Sequence, residues 1–292
     1  MFKVSDTVRD MRSFTVENTV TEHINLDRDF DLVDAKAGRL YVIRNDSTVS
    51  KNIREIGHWA WEHIEIFKSL SKVEGTFVDV GAFIGHHSVA MLNWKSGSGH
   101  VIAIEGQPQI AELCASNLNL QRYSNWRVVE SMADSVSRIY EIPIEDFDIP
   151  NNFGSLSLIS PQVEFGNNFF QVTSNSLDQI LDLNTEIDLM KFDIQYAELF
   201  ALRGASRILQ QQRPNLFIEI SPHFMKTKGN YDYRSVYNFL TGFGYQLFDL
   251  LGKPIGFERS ATPLFYEPDL EWDVIGVHES NLKTLKSVPW LF

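Results

Sequence analysis

A short apolar strand followed at once by a glycine turn constrains this chain more than any other feature. The segment FVDVGAFIGHH, residues 77–87, combines β-branched strand residues with Gly81 and Gly85 and leads into a predicted helix. Glycine adopts backbone angles that other residues avoid, and it leaves room for a ligand close to the main chain. The first turn of a helix presents free N–H groups and the positive end of the helix dipole. The segment therefore predicts a ligand-binding crevice at the carboxyl end of this strand.

Apolar strands alternate with helices from residue 75 onward. The predicted strands are TFVDV, GHVIAIEG, NWRVVES, IDLMKFDI, PNLFIEI, YQLFDLL and WDVIGVHE, and the predicted helices between them include HHSVAMLNW, QIAELCASNLNL, AELFALRGASRILQQQ and YRSVYNFLTGFG. This alternation indicates βαβ units and an α/β fold with a mostly parallel sheet. In such sheets, ligands bind at the edge formed by the carboxyl ends of the strands.

Two parts of the chain depart from this alternation. Residues 1–74 predict an N-terminal cap segment with a strand at residues 39–44 and a helix over residues 52–70, and residues 75–292 form the main domain. Residues 142–175 are rich in Asn, Ser, Gly, Pro and Phe. We interpret them as a lid inserted over the sheet edge, because long irregular segments in compact domains are often functional.

Charge and cysteine content argue against several functional classes. The formal net charge is −12 and no Lys/Arg-rich run stands out, which argues against a nucleic-acid partner and against an anionic membrane surface. Cys114 is the single cysteine, so the sequence offers neither an internal disulfide nor a CxxC metal site, and we interpret Cys114 as a small buried helix residue. No HExxH spacing occurs, and no metal is predicted. Without a signal peptide or a membrane-spanning apolar run, we expect a cytoplasmic protein; no pattern specifies its oligomeric state.

Two acidic residues narrow the choice of ligand. Asp79 precedes the glycines at the strand end, where we expect it to face the crevice, and Glu105 ends the next strand, where a carboxylate can accept hydrogen bonds from both ribose hydroxyls. The GxxxG spacing is neither the GxGxxG dinucleotide motif nor a P-loop, and an acidic residue beside the turn disfavours a pyrophosphate. S-Adenosylmethionine fits because it carries a ribose, an ammonium and a sulfonium group and no phosphate. A nucleotide-dependent oxidoreductase is the alternative enzyme class, and the missing GxGxxG motif weighs against it.

Several blocks in the right order resemble the FkbM family of S-adenosylmethionine-dependent methyltransferases. The family's VDVGANIG appears as VDVGAFIG at residues 78–85, its AFEPxP as AIEGQP at 103–108, and its IDLIKIDVEGAE as IDLMKFDIQYAE at 187–198. Shorter blocks follow at residues 132–134, 177–178, 204–205 and 213–220. The resemblance covers about residues 75–245. It implies a Rossmann-like class I methyltransferase fold whose sheet has one reversed strand near the C-terminus.

The resemblance implies a set of cofactor-binding residues at matching positions. They are Asp79, Gly81, Ala82, Phe83, Gly85, Glu105, Gly106, Met132 and Ala133. Two of them depart from the family pattern, since Phe83 replaces an Asn and Gly106 replaces a Pro. We expect the first change to remove a polar contact near the cofactor and the second to loosen the turn after the ribose-binding carboxylate.

Methyl transfer to a hydroxyl group needs a base, and polar residues near the ends of later strands are the catalytic candidates. Asp193 and Glu219 end apolar strands, and Lys191 lies two residues before Asp193, so that both side chains point the same way in a regular strand. His223 follows in a loop, and the ordinary pKa of histidine suits a base at neutral pH. The four residues predict an active site beside the glycine turn.

Acceptor-binding residues are predicted from two further segments. Asn151, Gly154 and Ser155 lie in a segment, residues 151–157, that resembles an NxGxxS piece of the family, and Gln195 and Tyr196 replace the Glu-Gly of its IDVEG block. This replacement removes a charge and adds a ring beside the predicted active site. The favoured function is O-methylation of a small molecule, sugar or biosynthetic intermediate, and a catalytically silent cofactor-binding or scaffold protein is the alternative. The adjacent residues 86–87, both histidines, are interpreted as helix surface or capping residues.

Overall fold

The computed structural model describes residues 23–155, 169–256, 262–263 and 271–287 of the chain. The α-helices are α1 (Leu26–Asp29), α2 (Val49–Ile56), α3 (Trp61–Leu70), α4 (His86–Lys95), α5 (Pro108–Asn119), α6 (Leu177–Ile180), α7 (Glu198–Gly204), α8 (Ser206–Gln211), α9 (Pro222–Thr227) and α10 (Arg234–Gly242). The β-strands are β1 (Phe30–Ala35), β2 (Gly38–Ile43), β3 (Thr76–Val80), β4 (His100–Glu105), β5 (Trp126–Glu130), β6 (Met132–Ala133), β7 (Ile139–Pro143), β8 (Phe169–Asn175), β9 (Ile187–Phe192), β10 (Asn215–Ile220), β11 (Tyr245–Phe248), β12 (Ile255–Gly256), β13 (Thr262–Pro263) and β14 (Trp272–His278). Two 3₁₀ helices span Phe153–Ser155 and Glu279–Ser287.

A seven-stranded sheet forms the centre of the protein, with the strand order β11-β14-β10-β9-β3-β4-β5. The strands from β10 to β5 in that order run parallel to one another. Strand β14 is antiparallel to both of its neighbours, β10 and β11. The structure therefore confirms the predicted α/β class and the Rossmann-like, mostly parallel sheet with one reversed strand.

Alternate side chains of the central strands enter two separate hydrophobic cores. Phe77 and Val101 belong to the core that also contains residues of α3, α4 and α5, whereas Val78 and Ile102 belong to the core with residues of α7, α8 and α10. Because successive side chains of a strand point to opposite faces, the sheet is covered by helices on both sides. Burial on both faces explains why strands such as β3, with every residue buried, read as continuous apolar runs.

The described N-terminal residues form a hairpin and three helices, α1 to α3, that pack onto the first of these cores. The hairpin β1–β2 is tied to α5 through Asn117, whose side chain accepts a hydrogen bond from Tyr41 N (2.6 Å) and donates one to Tyr41 O (2.9 Å). Asn117 Nδ2 also donates to Ile84 O (2.8 Å), inside the glycine turn. The N-terminal segment is therefore linked through one amide to the turn that the sequence marks as functional.

Two predicted helices are each divided in the structure. The single helix expected over residues 52–70 is wrong, because Gly57 ends α2 with a φ of 81° and Ala60 takes a φ of 39° before α3 begins. The helix expected in AELFALRGASRILQQQ is split into α7 and α8 at Gly204, where an added β-carbon would collide with the carbonyl oxygen of Asp134. The spacing of apolar residues along the sequence does not predict a helix break that depends on contacts with distant parts of the chain.

The irregular segment at residues 142–175 is described only in part. Strands β7 and β8 pair antiparallel at its two ends, and Phe153 between them is buried in the first core. Residues 156–168 of the predicted lid lie outside the described residues. Within the ranges that are described, every helix is too short or too polar to span a lipid bilayer.

Candidate functional site

A pocket opens at the carboxyl ends of β3, β4 and β9. The predicted site residues that line the pocket are Gly81, Ala82, Phe83, Glu105, Gly106, Met132, Ala133, Gly154, Lys191, Asp193 and Gln195. Residues from the predicted cofactor, acceptor and catalytic groups therefore meet in one place. The predicted residues that do not line it are Asp79, Gly85, Asn151, Ser155, Tyr196, Glu219 and His223.

Both glycines of the turn are required by the protein's own packing. Gly81 has a φ of 79° and Gly85 a φ of 80°, which are left-handed conformations that favour glycine. A β-carbon at Gly81 would collide with the carbonyl oxygen of Asp193, and one at Gly85 would lie 2.8 Å from Sγ of Cys114. The sequence predicted that a ligand lies close to the backbone at these two glycines. In the structure, the close neighbours are instead Asp193, directly after β9, and Cys114 on α5. Cys114 itself is buried on α5, as expected.

A buried ion pair lies directly behind the glycine turn. Lys191 Nζ is 3.0 Å from Asp79 Oδ1, donates to Gly81 O at 3.1 Å, and lies 3.5 Å from Asp193 Oδ2. Asp79 also accepts a hydrogen bond from Ser88 Oγ (2.7 Å) and has no exposed surface. The expectation that Asp79 faces the crevice is therefore wrong, because both of its oxygens are occupied by protein donors. The residue anchors the turn from behind.

Lys191 is held in its charged form. Burial alone would lower the pKa of Lys191, but the negative charges of Asp79 and Asp193 outweigh this effect and raise it above its usual value. A lysine that keeps its proton cannot serve as a base at neutral pH. Its contribution to the site is a fixed positive charge beside Asp193.

Glu105 lies where the sequence predicts a ribose-binding carboxylate. Its Oε2 accepts from Phe83 N and its Oε1 from Gln107 N, both at 2.9 Å. Burial raises the pKa of Glu105, while these backbone donors act to lower it. Each carboxylate oxygen can accept a second hydrogen bond, so Glu105 can bind two adjacent hydroxyl groups while it holds the turn.

Phe83 has a backbone conformation that explains the family's asparagine at this position. Its φ is 50°, in the left-handed region where Asn is tolerated far better than an aromatic residue. Its ring lies within van der Waals range of position 154, since a β-carbon at Gly154 would be 3.6 Å from it. The ring therefore forms part of the pocket wall between the glycine turn and the 3₁₀ helix.

Gln195 and Tyr196 both have positive φ angles, of 52° and 80°. The second value explains the glycine of the family pattern, because a side chain is strained there. The Tyr196 ring turns away from the pocket and stacks on Phe224 with 4.8 Å between centroids. The Gln195 amide stays in the pocket wall, with Nε2 3.5 Å from Asp193 Oδ1 and 3.4 Å from Glu219 Oε2. Gln195 thus bridges the two carboxylates.

The remaining predicted catalytic residues lie outside the wall. Burial and the neighbouring charge of Asp193 raise the pKa of Glu219 well above its ordinary value. His223 is exposed on α9. Asn151 and Ser155 are also exposed, and Ser155 Oγ donates to Asn152 O at 2.9 Å. These two residues shape a turn at the pocket edge.

Two histidines in the pocket wall were missed by the sequence interpretation. His86 and His87 line the pocket and are only 3% and 8% exposed, so they are neither helix surface nor caps. Burial, with a smaller contribution from His58, lowers the pKa of His86 to about 4. Their position in the sequence could have indicated this, because they directly follow the glycine turn and the first residues of a helix after such a turn lie beside the ligand site. Trp59 and Val49 of the N-terminal segment also line the pocket.

Metal-binding geometry is not found in the described part of the chain. Within residues 23–155, 169–256 and 271–287, no group of three or more His, Cys, Asp or Glu side chains is arranged to hold a metal ion. The arrangement instead presents a buried carboxylate, backbone turns and a half-exposed carboxylate, Asp193. These carboxylates accept hydrogen bonds, which suits a ligand with ribose hydroxyls and a cationic group.

The sequence matches one family model over more than half of its length. Residues 79–247 match the model of the methyltransferase FkbM domain. No curated protein shows significant similarity to the chain.

Solved structures with similar folds include several methyltransferases. Methyltransferase FkbM from Methylobacillus flagellatus KT is 17% identical with a TM-score of 0.45, and the match covers 75% of this chain and 48% of that one. The chain thus spans about half the length of that protein. Precorrin-6y C5,15-methyltransferase from Geobacter metallireducens GS-15 is 14% identical with a TM-score of 0.42, covering 75% and 87% of the two chains. A TehB-like SAM-dependent methyltransferase from Corynebacterium glutamicum ATCC 13032 is 10% identical with a TM-score of 0.42, covering 78% and 94%.

Proposed function

The chain belongs to the FkbM family of S-adenosylmethionine-dependent methyltransferases, and on that premise we propose that it methylates a hydroxyl oxygen of a small molecule or glycan. The observation that carries the proposal is the position of Asp193. Its side chain is 38% exposed, it lines the pocket, and it is the carboxylate next to both Lys191 and Gln195. A hydroxyl acceptor, unlike a neutral amine, depends on a base to remove its proton as the new bond forms.

The pocket residues fit S-adenosylmethionine on two observations. Glu105 offers two carboxylate oxygens with free acceptor capacity in the wall, which suits the ribose hydroxyls. Gly106, Met132 and Ala133 continue the wall from Glu105 and offer an apolar surface suited to the adenine ring. When bound, the cofactor supplies a methyl group activated by a positively charged sulfur.

Asp193 takes the acceptor's proton in this proposal. Lys191 Nζ, 3.5 Å from Oδ2, and Gln195 Nε2, 3.5 Å from Oδ1, orient the carboxylate from either side. The acceptor oxygen exchanges its proton for a methyl group, and the proton passes to Asp193. Orientation of the acceptor adds to the rate, because alignment of reacting groups can contribute up to roughly 7–11 kcal/mol in favourable intramolecular models.

A transfer assay with labelled cofactor tests this proposal. The protein is incubated with S-adenosylmethionine carrying a tritiated methyl group and with matched pairs of hydroxyl and amine acceptors, and products are identified by NMR as O-methyl or N-methyl compounds. We expect label in O-methyl products. Label found in N-methyl products alone would refute O-methylation while leaving methyl transfer intact.

A catalytically silent cofactor-binding protein is the second candidate, and the Gln195–Tyr196 pair favours it. The family carries Glu-Gly at these positions, and this chain has a neutral amide and a strained tyrosine instead. Binding of S-adenosylmethionine without turnover on any acceptor in the panel would support this alternative. The family assignment leaves no support for a nucleotide-dependent oxidoreductase.

A further inference from the structure

The carboxyl group of Glu198 lies inside the loop that joins β9 to α7, residues 193–197, which we call the Asp193 loop. Oε1 of Glu198 accepts hydrogen bonds from Ile194 N and Tyr196 N, both at 3.2 Å. Oε2 accepts a third hydrogen bond from the hydroxyl group of Tyr231, also at 3.2 Å. Glu198 is only 1% exposed. One buried side chain therefore binds the peptide N–H groups on both sides of Gln195.

The Asp193 loop has a backbone conformation that its own residues disfavour. Gln195 has a φ of 52° and Tyr196 a φ of 80°, in the left-handed region that L-residues with a β-carbon rarely adopt. Backbone strain of this kind persists only where the surrounding structure fixes it, and it is concentrated at functional sites. The two N–H groups that Glu198 binds belong to residues next to and within this strained pair. Glu198 therefore supports the strained part of the loop from inside.

The Asp193 loop is also part of the pocket wall. Asp193, Ile194, Gln195 and Ala197 line the pocket, whereas Glu198 does not. The Asp193 side chain is 38% exposed, and Gln195 Nε2 lies 3.5 Å from its Oδ1. A shift of the loop would thus move the proposed base and the amide that orients it. Glu198 can affect the pocket only through these residues.

A direct role of Glu198 in proton transfer does not fit its position. Burial raises the pKa of Glu198 from 4.5 to about 7, and a pKa near neutrality would suit a base. The side chain is nevertheless behind the pocket wall, and its three hydrogen bonds come from the protein. Both the ionised and the protonated carboxyl group keep an acceptor oxygen for the two N–H groups. The geometry therefore assigns Glu198 to the loop and not to the acceptor.

We propose that Glu198 is a positioning residue for methyl transfer, which folds the Asp193 loop so that the Asp193 carboxylate is presented to the reacting groups in the pocket. This inference rests on the proposed function, in which Asp193 takes the proton of the acceptor. Tyr231 supports the same arrangement from the other side, because its hydroxyl group holds the second oxygen of Glu198.

Two cofactor analogues test the inference without an acceptor. S-Adenosylhomocysteine lacks the methyl group and the charge, and sinefungin carries an ammonium group on the carbon that replaces the sulfur. A base that acts beside the transferred methyl group would lie close to this ammonium group and bind it through a charge-assisted hydrogen bond. Calorimetry with the full chain gives both dissociation constants. Their ratio, that of S-adenosylhomocysteine divided by that of sinefungin, is the sinefungin preference.

The variants separate the position of the carboxyl group from its charge. Glu198→Asp keeps the charge but is one methylene shorter, so that it should not reach both N–H groups. Glu198→Gln loses the charge but keeps an acceptor oxygen at the same distance along the side chain. Asp193→Asn is the reference for loss of the proposed base. The matched control is Glu186→Gln, because Glu186 directly precedes β9 and its side chain is 71% exposed. Thermal unfolding by circular dichroism checks that each variant folds.

We expect Asp193→Asn to lower the sinefungin preference about tenfold, as expected for loss of a hydrogen bond between charged groups. Glu198→Asp should lower it by about threefold or more, because a displaced carboxylate makes a poorer hydrogen bond. The affinity for S-adenosylhomocysteine should stay within about twofold of the wild type in both variants, since the predicted ribose site at Glu105 is unchanged. Glu198→Gln and Glu186→Gln should keep most of the preference.

Two results would overturn the inference while leaving the proposed function intact, provided that Asp193→Asn lowers the preference. One is a wild-type preference in Glu198→Asp, and the other is an equal loss of affinity for both analogues, which would indicate a purely structural role. If Glu198→Asp does not fold, Tyr231→Phe decides the question, because it removes one of the three hydrogen bonds and should lower the preference by about twofold. A wild-type preference in Tyr231→Phe would then count against the inference. An unchanged preference in Asp193→Asn would instead refute Asp193 as the base of the proposed function.

Discussion

The ammonium nitrogen of Lys191 lies 3.0 Å from Oδ1 of Asp79, and the two side chains are only 4% and 0% exposed. Asp79 and Lys191 are also partners in the parallel register of β3 and β9. The pair therefore fastens the two strands whose ends carry the glycine turn and Asp193. Asp79 therefore supports the site by holding β3 and β9 together from inside the protein, without facing the pocket.

Removing either member of this pair should destabilise the fold strongly. Lys191→Met leaves the Asp79 carboxylate buried without its counter-ion, and breaking a buried pair typically costs about 3–5 kcal/mol. Urea unfolding of Lys191→Met, Asp79→Asn and the double variant gives the free energies of unfolding. We expect the double variant to lose less than the sum of the two single losses. The exposed pair Arg39–Asp34 is the control, and Asp34→Asn should leave the midpoint nearly unchanged. Strict additivity would contradict a direct pairing.

Asp193→Asn should abolish most turnover and spare cofactor binding. Loss of a positioned base typically lowers the rate by about 10²–10⁴, whereas the predicted ribose site at Glu105 is unchanged. The rate of label transfer and the calorimetric affinity for S-adenosylmethionine measure the two effects separately. Asn at position 193 keeps the size of the side chain and can still accept from Lys191. Turnover at the wild-type rate would exclude Asp193 as the base.

Glu105→Ala should weaken S-adenosylmethionine binding at least about tenfold, which corresponds to about 1.4 kcal/mol. The reason is the loss of the carboxylate that the ribose hydroxyls would contact. Glu105→Gln is the matched variant, since it keeps one acceptor for the Phe83 N–H and should lose less. Calorimetry with both variants measures the difference. An unchanged affinity in Glu105→Ala would show that the ribose binds elsewhere.

A series of three Gly→Ala variants should separate two contributions to the loss of stability, the strain of a positive φ and a steric collision of the added methyl group. Gly242 ends α10 without a positive φ and with open space around it, so Gly242→Ala should stabilise by about 0.4–1 kcal/mol. Gly57 has a φ of 81° and equally open space, and Gly57→Ala should cost about 1–2 kcal/mol. Gly81→Ala adds a collision with Asp193 O to the same strain and should cost the most. Equal urea-unfolding midpoints for Gly57→Ala and Gly81→Ala would show that the backbone at Asp193 can move away from the added methyl group.

Stability should fall as pH rises from about 4.5 to about 7, partly through Glu198. Burial raises its pKa from 4.5 to about 7, so the folded protein binds a proton in this range that the unfolded chain releases. The native state is therefore favoured below the unfolded pKa, and this advantage is lost by pH 7, a change of about 3 kcal/mol. Unfolding free energies of the wild type and Glu198→Gln across this range give the difference. A wild-type slope no steeper than that of the variant would refute the shifted pKa.

The order of strands and helices was readable from the sequence because burial on both faces leaves a distinctive pattern. Apolar runs such as TFVDV predict strands buried on two sides, and their alternation with helices predicts a parallel sheet. The breaks at Gly57 and Gly204 escaped that reasoning, since Gly57 takes a left-handed cap conformation and Gly204 lies against the backbone of Asp134, which is distant in sequence.

The candidate site was predictable to the extent that it follows strand ends. Gly81, Glu105 and Asp193 were placed together because the carboxyl ends of parallel strands share one edge. Asp79 and the two histidines were misassigned, since the direction of a side chain at the end of a strand or the start of a helix depends on what packs around it.

The sequence by itself determined the fold class, the family and the place of the pocket, because these depend on local periodicity and on motifs that persist in order along the chain. Tertiary structure alone decided that Asp79 faces Lys191, that Gln195 lies between Asp193 and Glu219, and that His86 enters the pocket wall. These outcomes depend on contacts between residues distant in sequence, and each is set by burial and charge in three dimensions.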